Sequence, residues 1–490
     1  MSYPEIETRT VTVKAAHRYE VVEVMSRPEV AGKKFHFIGA GGVGMSGLAR
    51  LLLENQAVIS GSDQTASAVT SRLSRLGADI HIGHSAANLP ADTDTVVISA
   101  AVRESNPELE VARRKGCRVV KYAQMLGDLF NQFDGIAISG THGKSTTTGW
   151  LTWCLKQIGM DVNFVVGAEI PQLGASSGGG RNDFFVIEAC EYDRSFQNYQ
   201  PQVATILNIE RDHLDCYRDE QDIVEAFYQF ALGTRPGGLI VANGGDPNTA
   251  RLIKRLDSER TVLTFGLDGQ YDFSAGNIRE KDGLYQFDVF REGLCLGSAG
   301  ISLPGRHNVL NAMAVIATAA SIGVEPERIL PVLDGFHGMD RRLMLKGQFN
   351  GVTILDDYAH HPTEIRASLK AIRERYRPQR LWCVFQAHQY SRTKSLLDEF
   401  AGSFTQADTT ILPEIYFVRD SEATRKEVNA QILAERIREH GTDAQYIGRF
   451  DAICDYLEQH VRGGDLVVTM GAGDVWKVAD EYIQRLGRNR

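Results

Sequence analysis

Residues 136–148 read Ile136-Ala-Ile-Ser-Gly140-Thr141-His142-Gly143-Lys144-Ser145-Thr146-Thr-Thr. An apolar run, a glycine turn and a Ser/Thr-rich helix start make a strand–loop–helix unit. In such a unit the backbone N–H groups turn inward on phosphate oxygens, and the helix N-terminus adds positive potential. Lys144 can neutralise β/γ charge, and the Ser145 hydroxyl can ligate Mg²⁺. The longer pattern GxxxxGK[ST] needs glycine where Ile138 stands, so this is the shorter form G-T-x-G-K-[ST]. A chance Gly-Lys-Ser turn would lack the strand before it and the hydroxyl run after it.

Working outward, the same construction recurs. Short apolar runs rich in Val and Ile end in Gly, Ser, Asn or Asp and alternate with helix-length segments: FHFIG (35–39), TVVISAA (95–101), FFVIEAC (184–190), VATILNI (203–209), VTILDD (352–357), LWCVFQ (381–386) and DLVVTMGAG (465–473). Continuous apolar strands mark parallel α/β sheets, whose functional loops sit at the C-terminal strand ends. Three such blocks are expected, over about 1–132, 133–340 and 341–490. The stretch 264–303 alternates apolar and polar residues with Gly turns, as antiparallel strands appended to the middle block would. SSGGG (176–180) reads as a local flexible loop.

Composition narrows the class. The 490 residues are 43% hydrophobic and 23% charged, values of a soluble globular protein. A net charge of -9 argues against a general nucleic-acid binder. The seven cysteines are scattered without a CxxC pair, so neither a disulfide framework nor a zinc site is expected. The polar opening MSYPEIETRTVTVKAAHRYE lacks a signal-peptide core, and no run of about 18 apolar residues occurs. A cytoplasmic protein with no membrane span is the expectation.

Further polar clusters follow the apolar runs. Gly39-Ala-Gly41-Gly42-Val-Gly44-Met45-Ser46 opens a helix after the first strand, with Asp63 near the end of the next. Taken alone this is a dinucleotide fingerprint, but its physics says only that a diphosphate sits at a helix N-terminus. Glu188 ends the FFVIEAC run, where a metal-facing carboxylate or a plain exposed one would stand. His213 lies among Glu210, Asp212 and Asp215, either as a metal site or as a polar loop with Asp caps. His307, Asn308 and Asn311 open an Ala-rich helix, either reading an adenine edge or capping and packing. In the last block, Asp357-Tyr358-Ala-His360-His361-Pro and Gln386-Ala-His388-Gln389-Tyr-Ser-Arg392 each follow a strand. Arg392 has the fork to hold a carboxylate, and Tyr358, His360 and His388 can shape a small side-chain pocket.

Taken in order, GTHGKS, EACEYDRSF, NIERDHLD, GRHNVLNAMA, DRR and DDYAHHPTE resemble the Mur ligase family over most of the chain. The opening HFIGAGGVGMSGLA and the GSD at 61–63 are most similar to the members that add the first stem-peptide residue in peptidoglycan precursor synthesis. The resemblance implies three domains: a Rossmann-like N-terminal domain, a central P-loop ATPase domain with a mostly parallel sheet plus a small antiparallel one, and a Rossmann-like C-terminal domain. It implies ATP and Mg²⁺, with UDP-N-acetylmuramate and L-alanine as substrates, in a monomer or homodimer. Lys144, Glu188, His213, Arg342 and Asp357 then become the candidate catalytic set, with Ser145, Glu188 and His213 at metal. Gly140 to Thr146 with His307, Asn308 and Asn311 would hold ATP. The loop of Gly39, Gly41, Gly42, Gly44, Met45 and Ser46, together with Asp63, Ser99 and Ala100, would cradle the UDP-sugar. Tyr358, His360, His388 and Arg392 would take the amino acid. Where many of those relatives read PHxF[TS]R, this chain has Ala387 for the Pro, and it has Gln389 where some carry Arg.

Two rival readings use the same residues. A ligase that recycles cell-wall tripeptide onto the same UDP-sugar is the nearer; its relatives carry a longer stretch after the EAxEYD motif than the DRSFQNYQP seen here. An NAD-dependent oxidoreductase would use the Gly39 loop and leave the P-loop unexplained.

Overall fold

The computed structural model describes residues 30–99, 101–213, 215–256, 260–418, 420 and 422–488. They form three sheets in succession. The first is β1 (Lys34–Ile38), β2 (Val58–Asp63), β3 (Asp79–Ile82), β4 (Thr95–Ile98) and β5 (Arg118–Lys121), all parallel in the order β3-β2-β1-β4-β5. β1 is the central strand, so its following loop opens at the point where the strand order reverses, the place such sheets bind ligands.

The second sheet has ten strands: β6 (Asp134–Ser139), β7 (Asn163–Ile170), β8 (Ala175–Gly178), β9 (Phe184–Glu188), β10 (Val203–Ile206), β11 (Leu239–Asn243), β12 (Thr261–Leu267), β13 (Phe273–Lys281), β14 (Leu284–Arg291) and β15 (Leu294–Ile301). Their order is β15-β14-β13-β12-β11-β10-β6-β9-β7-β8. The antiparallel strands expected after residue 264 are β13 to β15. They continue the same hydrogen-bonded sheet, because β13 pairs parallel with β12 over Phe265–Leu267. The SSGGG stretch departs from expectation. Residues 176–178 are β-strand, paired antiparallel with β7, and Ser177 is buried. Small side chains are used there for close approach: a Cβ on Gly47 of the first helix would sit 3.4 Å from Ser177.

The third sheet runs β16-β17-β21-β18-β19-β20 through β16 (Met344–Phe349), β17 (Val352–Asp357), β18 (Leu381–Phe385), β19 (Thr409–Leu412), β20 (Asp443–Tyr446) and β21 (Leu466–Met470). Only β16 is antiparallel to its neighbour among them.

The apolar cores divide differently from the sheets. One cluster joins Phe35, Leu48 and Phe130 beneath the first sheet to Phe185, Ile206 and Phe227 beneath the second. Phe130 and Phe133 pack on Phe185 with ring centroids 5.6 and 5.4 Å apart. The third sheet has clusters of its own, around Leu369 and Phe385 on one face and Trp382 and Tyr482 on the other.

Helix starts single out three places. Several helices begin on Ser67, Asn106, Asp219, Asp246 or Asn429, whose side chains accept the orphan N–H groups. The helices Val43–Glu54, Lys144–Gln157 and Arg306–Ser321 begin instead on Gly42, Gly143 and Gly305, with no side-chain cap. Their first amides are left for something else to bind. No described helix is long and apolar enough to cross a membrane.

Candidate active site

The Gly140–Ser145 loop takes its shape from two glycines in the left-handed region, at φ 147° for Gly140 and 82° for Gly143. A Cβ on Gly143 would stand 2.7 Å from Asn311 Oδ1, so loop and third glycine-started helix touch. Asn311 in turn donates to Asn308 Oδ1 at 3.0 Å, and Asn308 donates to the Pro304 carbonyl at 2.8 Å. Both amides are therefore committed inside the helix start, while His307 is exposed beside them.

Lys144 folds back on its own loop. Its Nζ donates to the carbonyls of Gly140 at 2.6 Å and Thr141 at 3.0 Å, and meets both oxygens of Glu191 at 3.0 and 2.9 Å. Burial alone would lower the Lys144 pKa; the facing carboxylate holds it well above the usual lysine range. Glu191 also lies 3.4 Å from His213 Nε2. It sits within the EACEYD motif but was not singled out there, since only its pairing reveals it.

His213 occupies a left-handed backbone position, φ 52°, and its buried Nδ1 has no hydrogen-bond partner. A non-glycine residue held there with an orphaned nitrogen is a mark of a site rather than of packing. Glu188 ends β9 with Oε2 accepting the Gly167 N–H at 2.7 Å. A carboxylate oxygen suits a hard divalent cation, and an imidazole is a softer donor that such a cation takes less readily.

The segment after β10 is tied into the third sheet's unit. Arg392, expected to be open for a carboxylate, has its Nε and Nη2 within 3.1 and 2.9 Å of Asp212 Oδ1, both residues buried. That leaves the Nη1 edge, which lies 3.5 Å from His388 Nδ1. The Asp212 carboxyl stays far below its usual range: burial opposes this, and Arg392 wins. His361 Nε2 lies 3.2 Å from the Arg211 carbonyl, and Thr363 Oγ1 donates to Glu210 Oε1 at 2.9 Å.

Around His142 this becomes a charged cluster. Its Nε2 lies 2.6 Å from Glu210 Oε2 and its Nδ1 3.2 Å from Glu364 Oε1. Burial disfavours the imidazolium, yet the two carboxylates push its pKa up to about 9. Asn208 pins the same residue's backbone, accepting from its N–H at 2.8 Å and donating to its carbonyl at 3.1 Å. His142, Glu210 and His361 offer ligand atoms within 4.8 Å of one another, a spacing a metal can use. Hydrogen bonds already account for the histidine nitrogens, so the cluster needs no ion. Glu210 and Glu364 were not singled out as site residues from the sequence.

On the third unit, Tyr358, His360, His388 and Tyr416 form a row of rings with centroids 5.4, 6.3 and 5.5 Å apart. Burial pushes the His360 imidazole down to about 3. Arg342 lies 5.0 Å over the Tyr358 ring and 4.0 Å from Glu364. Asp357 is buried, which pushes its carboxyl up, and it accepts the Leu343 N–H at 3.3 Å.

The first glycine loop is held by a carboxylate, with Asp63 Oδ2 accepting the Gly41 N–H at 2.8 Å. A Cβ on Gly39 would meet Ser99 Oγ at 3.0 Å, and one on Gly44 would meet Tyr122 at 2.8 Å. Met45 is buried beneath, and Ser46 donates to the Val43 carbonyl at 3.0 Å. Ala100, expected beside them, lies outside the described residues.

A cavity of about 510 Å³ connects these parts: Ser46, Ser145, Glu188, Arg342 and Tyr358 all line it, and the β7–β8 hairpin forms one wall. The P-loop, the first glycine loop's helix and the third unit thus face one space. Known proteins place the chain. Family models for the Mur ligase family's catalytic domain, its middle domain and its glutamate ligase domain match residues 34–134, 138–319 and 341–473. The chain is 40% identical to the UDP-N-acetylmuramate–L-alanine ligase of Acetivibrio thermocellus over 92% of its length and 96% of that protein's. It is 42% identical to the ligase of the same name from Alkaliphilus metalliredigens, over 91% and 96%. Among solved structures, the UDP-N-acetylmuramate-alanine ligase of Thermotoga maritima superposes with TM-score 0.78 at 25% identity, covering 93% of this chain and 100% of that one. The murein peptide ligase of Psychrobacter arcticus gives 0.70 at 27%, covering 93% and 99%. A P-loop facing a second glycine loop and a third unit across one cavity, matched by all three models along the chain, means that this protein belongs to the Mur ligase family.

Proposed function

We propose that the protein joins L-alanine to the lactyl carboxylate of UDP-N-acetylmuramate, using ATP, through an acyl phosphate. The single cavity reached by Ser145, Glu188, Ser46, Arg342 and Tyr358 carries this reading, because three substrates must meet there. A carboxylate does not condense with an amine at neutral pH, since oxide is a very poor leaving group. Attack of a carboxylate oxygen on the γ-phosphorus releases ADP and leaves an acyl phosphate, whose phosphate departs readily.

The open amides at Gly42 suit the UDP diphosphate, and Asp63 shapes that loop. The amides at Gly143 with Lys144 take the ATP phosphates. For this, Lys144 exchanges its Gly140 and Thr141 carbonyls for phosphate oxygens while Glu191 keeps it in place. His307, exposed at the start of the helix whose Asn311 meets Gly143, would stack on the adenine. Ser145, Glu188 and His213 are the residues that would hold Mg²⁺, which supplies positive charge to the transferring phosphoryl oxygens. Arg342 adds charge from the third unit. Positioning and electrostatics of this kind are how phosphoryl transfer is accelerated.

Alanine's carboxylate would then use the Nη1 edge of Arg392, and its methyl the row of Tyr358, His360 and His388. The neutral amine attacks the acyl carbon, the tetrahedral intermediate expels phosphate, and the surplus amine proton passes to a base. Closure over the cavity keeps water from the acyl phosphate.

The test is phosphate release from ATP and Mg²⁺ with UDP-N-acetylmuramate, adding L-alanine, glycine, L-serine or tripeptide separately. Release that needs both the sugar and L-alanine is expected. Release with the tripeptide alone moves the protein to the recycling activity of its murein peptide ligase neighbour. Silence with every amine sinks the reading.

A further inference from the structure

Glu364 lies four residues into the segment that starts with His360, far from the P-loop in sequence, and its side chain is largely buried. Its two carboxylate oxygens serve different neighbours. Oε1 faces the nucleotide side, 3.2 Å from His142 Nδ1 of the P-loop and 4.0 Å from Arg342 Nη1. Oε2 faces the amine side, accepting the His360 backbone N–H at 3.0 Å and lying 3.3 Å from His360 Nδ1.

That arrangement sets the form of the His360 ring. Around Nδ1 lie Glu364 Oε2 and the Tyr358 carbonyl, the latter at 3.1 Å, and both are acceptors. The ring proton therefore belongs on Nδ1, which leaves Nε2 with its lone pair. Burial keeps the ring neutral. A neutral imidazole with Nδ1 fixed by two acceptors offers Nε2 as a hydrogen-bond acceptor, which can orient a substrate N–H. Desolvating a carboxylate is costly unless its lone pairs are used, and Glu364 meets that need with partners from two units.

We propose that Glu364 is a positioning residue that couples the nucleotide loop to the amine site, fixing the His360 tautomer on one oxygen while holding His142 and Arg342 on the other. The amine-site half of this rests on the ligase reading above; the coupling itself does not. Through Glu364, a shift of the P-loop on nucleotide binding is passed to His360 in a single carboxylate.

Nitrogen-15 spectra of the histidine rings test this in the full chain at neutral pH, with His360 assigned from a His360→Gln sample. The wild type is expected to show protonated Nδ1 and unprotonated Nε2, and a non-hydrolysable ATP analogue with Mg²⁺ is expected to shift both. In Glu364→Gln the tautomers should mix and the response to nucleotide should vanish. In turnover, the same variant should lose about 100-fold in kcat for amide formation, with the KM for ATP moving far less. Glu364→Asp, which keeps the charge but is too short to span both sides, should recover only part of the loss. A purely structural role would lower every readout together. An unchanged His360 tautomer and nucleotide response in Glu364→Gln overturns the proposal. If the wild type turns over no amine, the ligase reading fails, while the spectra still decide the coupling.

Discussion

The two glycine loops, Gly39–Ser46 and Gly140–Ser145, start helices in the same way and differ in the charge set around them. In each, the helix starts on a glycine with no side-chain cap, Gly42 and Gly143, so each presents open amides. The first is braced by a carboxylate, Asp63 on the Gly41 N–H, and carries no cation of its own. The second carries Lys144 and His142, both set against glutamates drawn from elsewhere. A backbone cradle suffices to bind a diphosphate that does not react. Where a phosphoryl group transfers, charge must be added, and that charge must be held while the loop is empty. On the proposed function, the difference between the loops is a difference between binding and chemistry.

Removing the cation should break the comparison most. Lys144→Ala is expected to cut kcat by about 1000-fold, measured as phosphate release, with the KM for the UDP-sugar little changed. A comparable loss in UDP-sugar affinity would mean the loops are not separate in function. Next come the glycines. Gly143→Ala places a Cβ at a left-handed position, 2.7 Å from Asn311 Oδ1, and should weaken ATP binding by about 100-fold. Gly41→Ala, with a Cβ 2.8 Å from Asp63 Oδ2, should instead raise the KM of the UDP-sugar by roughly 10-fold. Calorimetric titration of each variant with each nucleotide checks the split, and an identical pattern for both would erase it.

A smaller effect concerns pH. His142 is raised from 6.5 to about 9 by its carboxylates. A raised pKa stabilises the fold fully below the unfolded value and loses that contribution as pH climbs through the folded one. The wild type should therefore exceed His142→Gln by about 1 kcal/mol near pH 6, with the gap closing above pH 9, in denaturant midpoints. A gap that widens with pH would contradict the imidazolium. The mildest change is Asp63→Asn. A carboxamide oxygen can still accept the Gly41 N–H, so a loss of about 0.5 kcal/mol in UDP-sugar binding is expected.

Much of this was legible in the chain because it is local. A strand, a glycine turn and a helix start are written within a dozen residues, and both loops could be read that way. Buried parallel strands announce themselves as unbroken apolar runs. Other features depend on partners distant in sequence. Arg392 offers a free fork on paper, and only the fold brings Asp212 to it across 180 residues. Glu364 meets His142 across 222. The β7–β8 hairpin was hidden for a different reason: SSGGG has the composition of a linker, and its small side chains are there to let the first helix approach. Glu191 lies inside EACEYD, but nothing in its neighbours says that it faces a lysine 47 positions upstream.

The unequal seams between the three units also have a consequence for taking the protein apart. The first two share one greasy interior through Phe130, Phe133 and Phe185, whereas many of the contacts found between the third unit and them are polar, at His142, Glu210 and the Arg392–Asp212 pair. An oily joint resists rotation and a wet one tolerates it. A protease that nicks the chain near residue 340 should release the C-terminal fragment intact, while a fragment ending near 132 should come out sticky and insoluble. For anyone dissecting this enzyme, it should behave as two pieces with one joint, not three beads on a string.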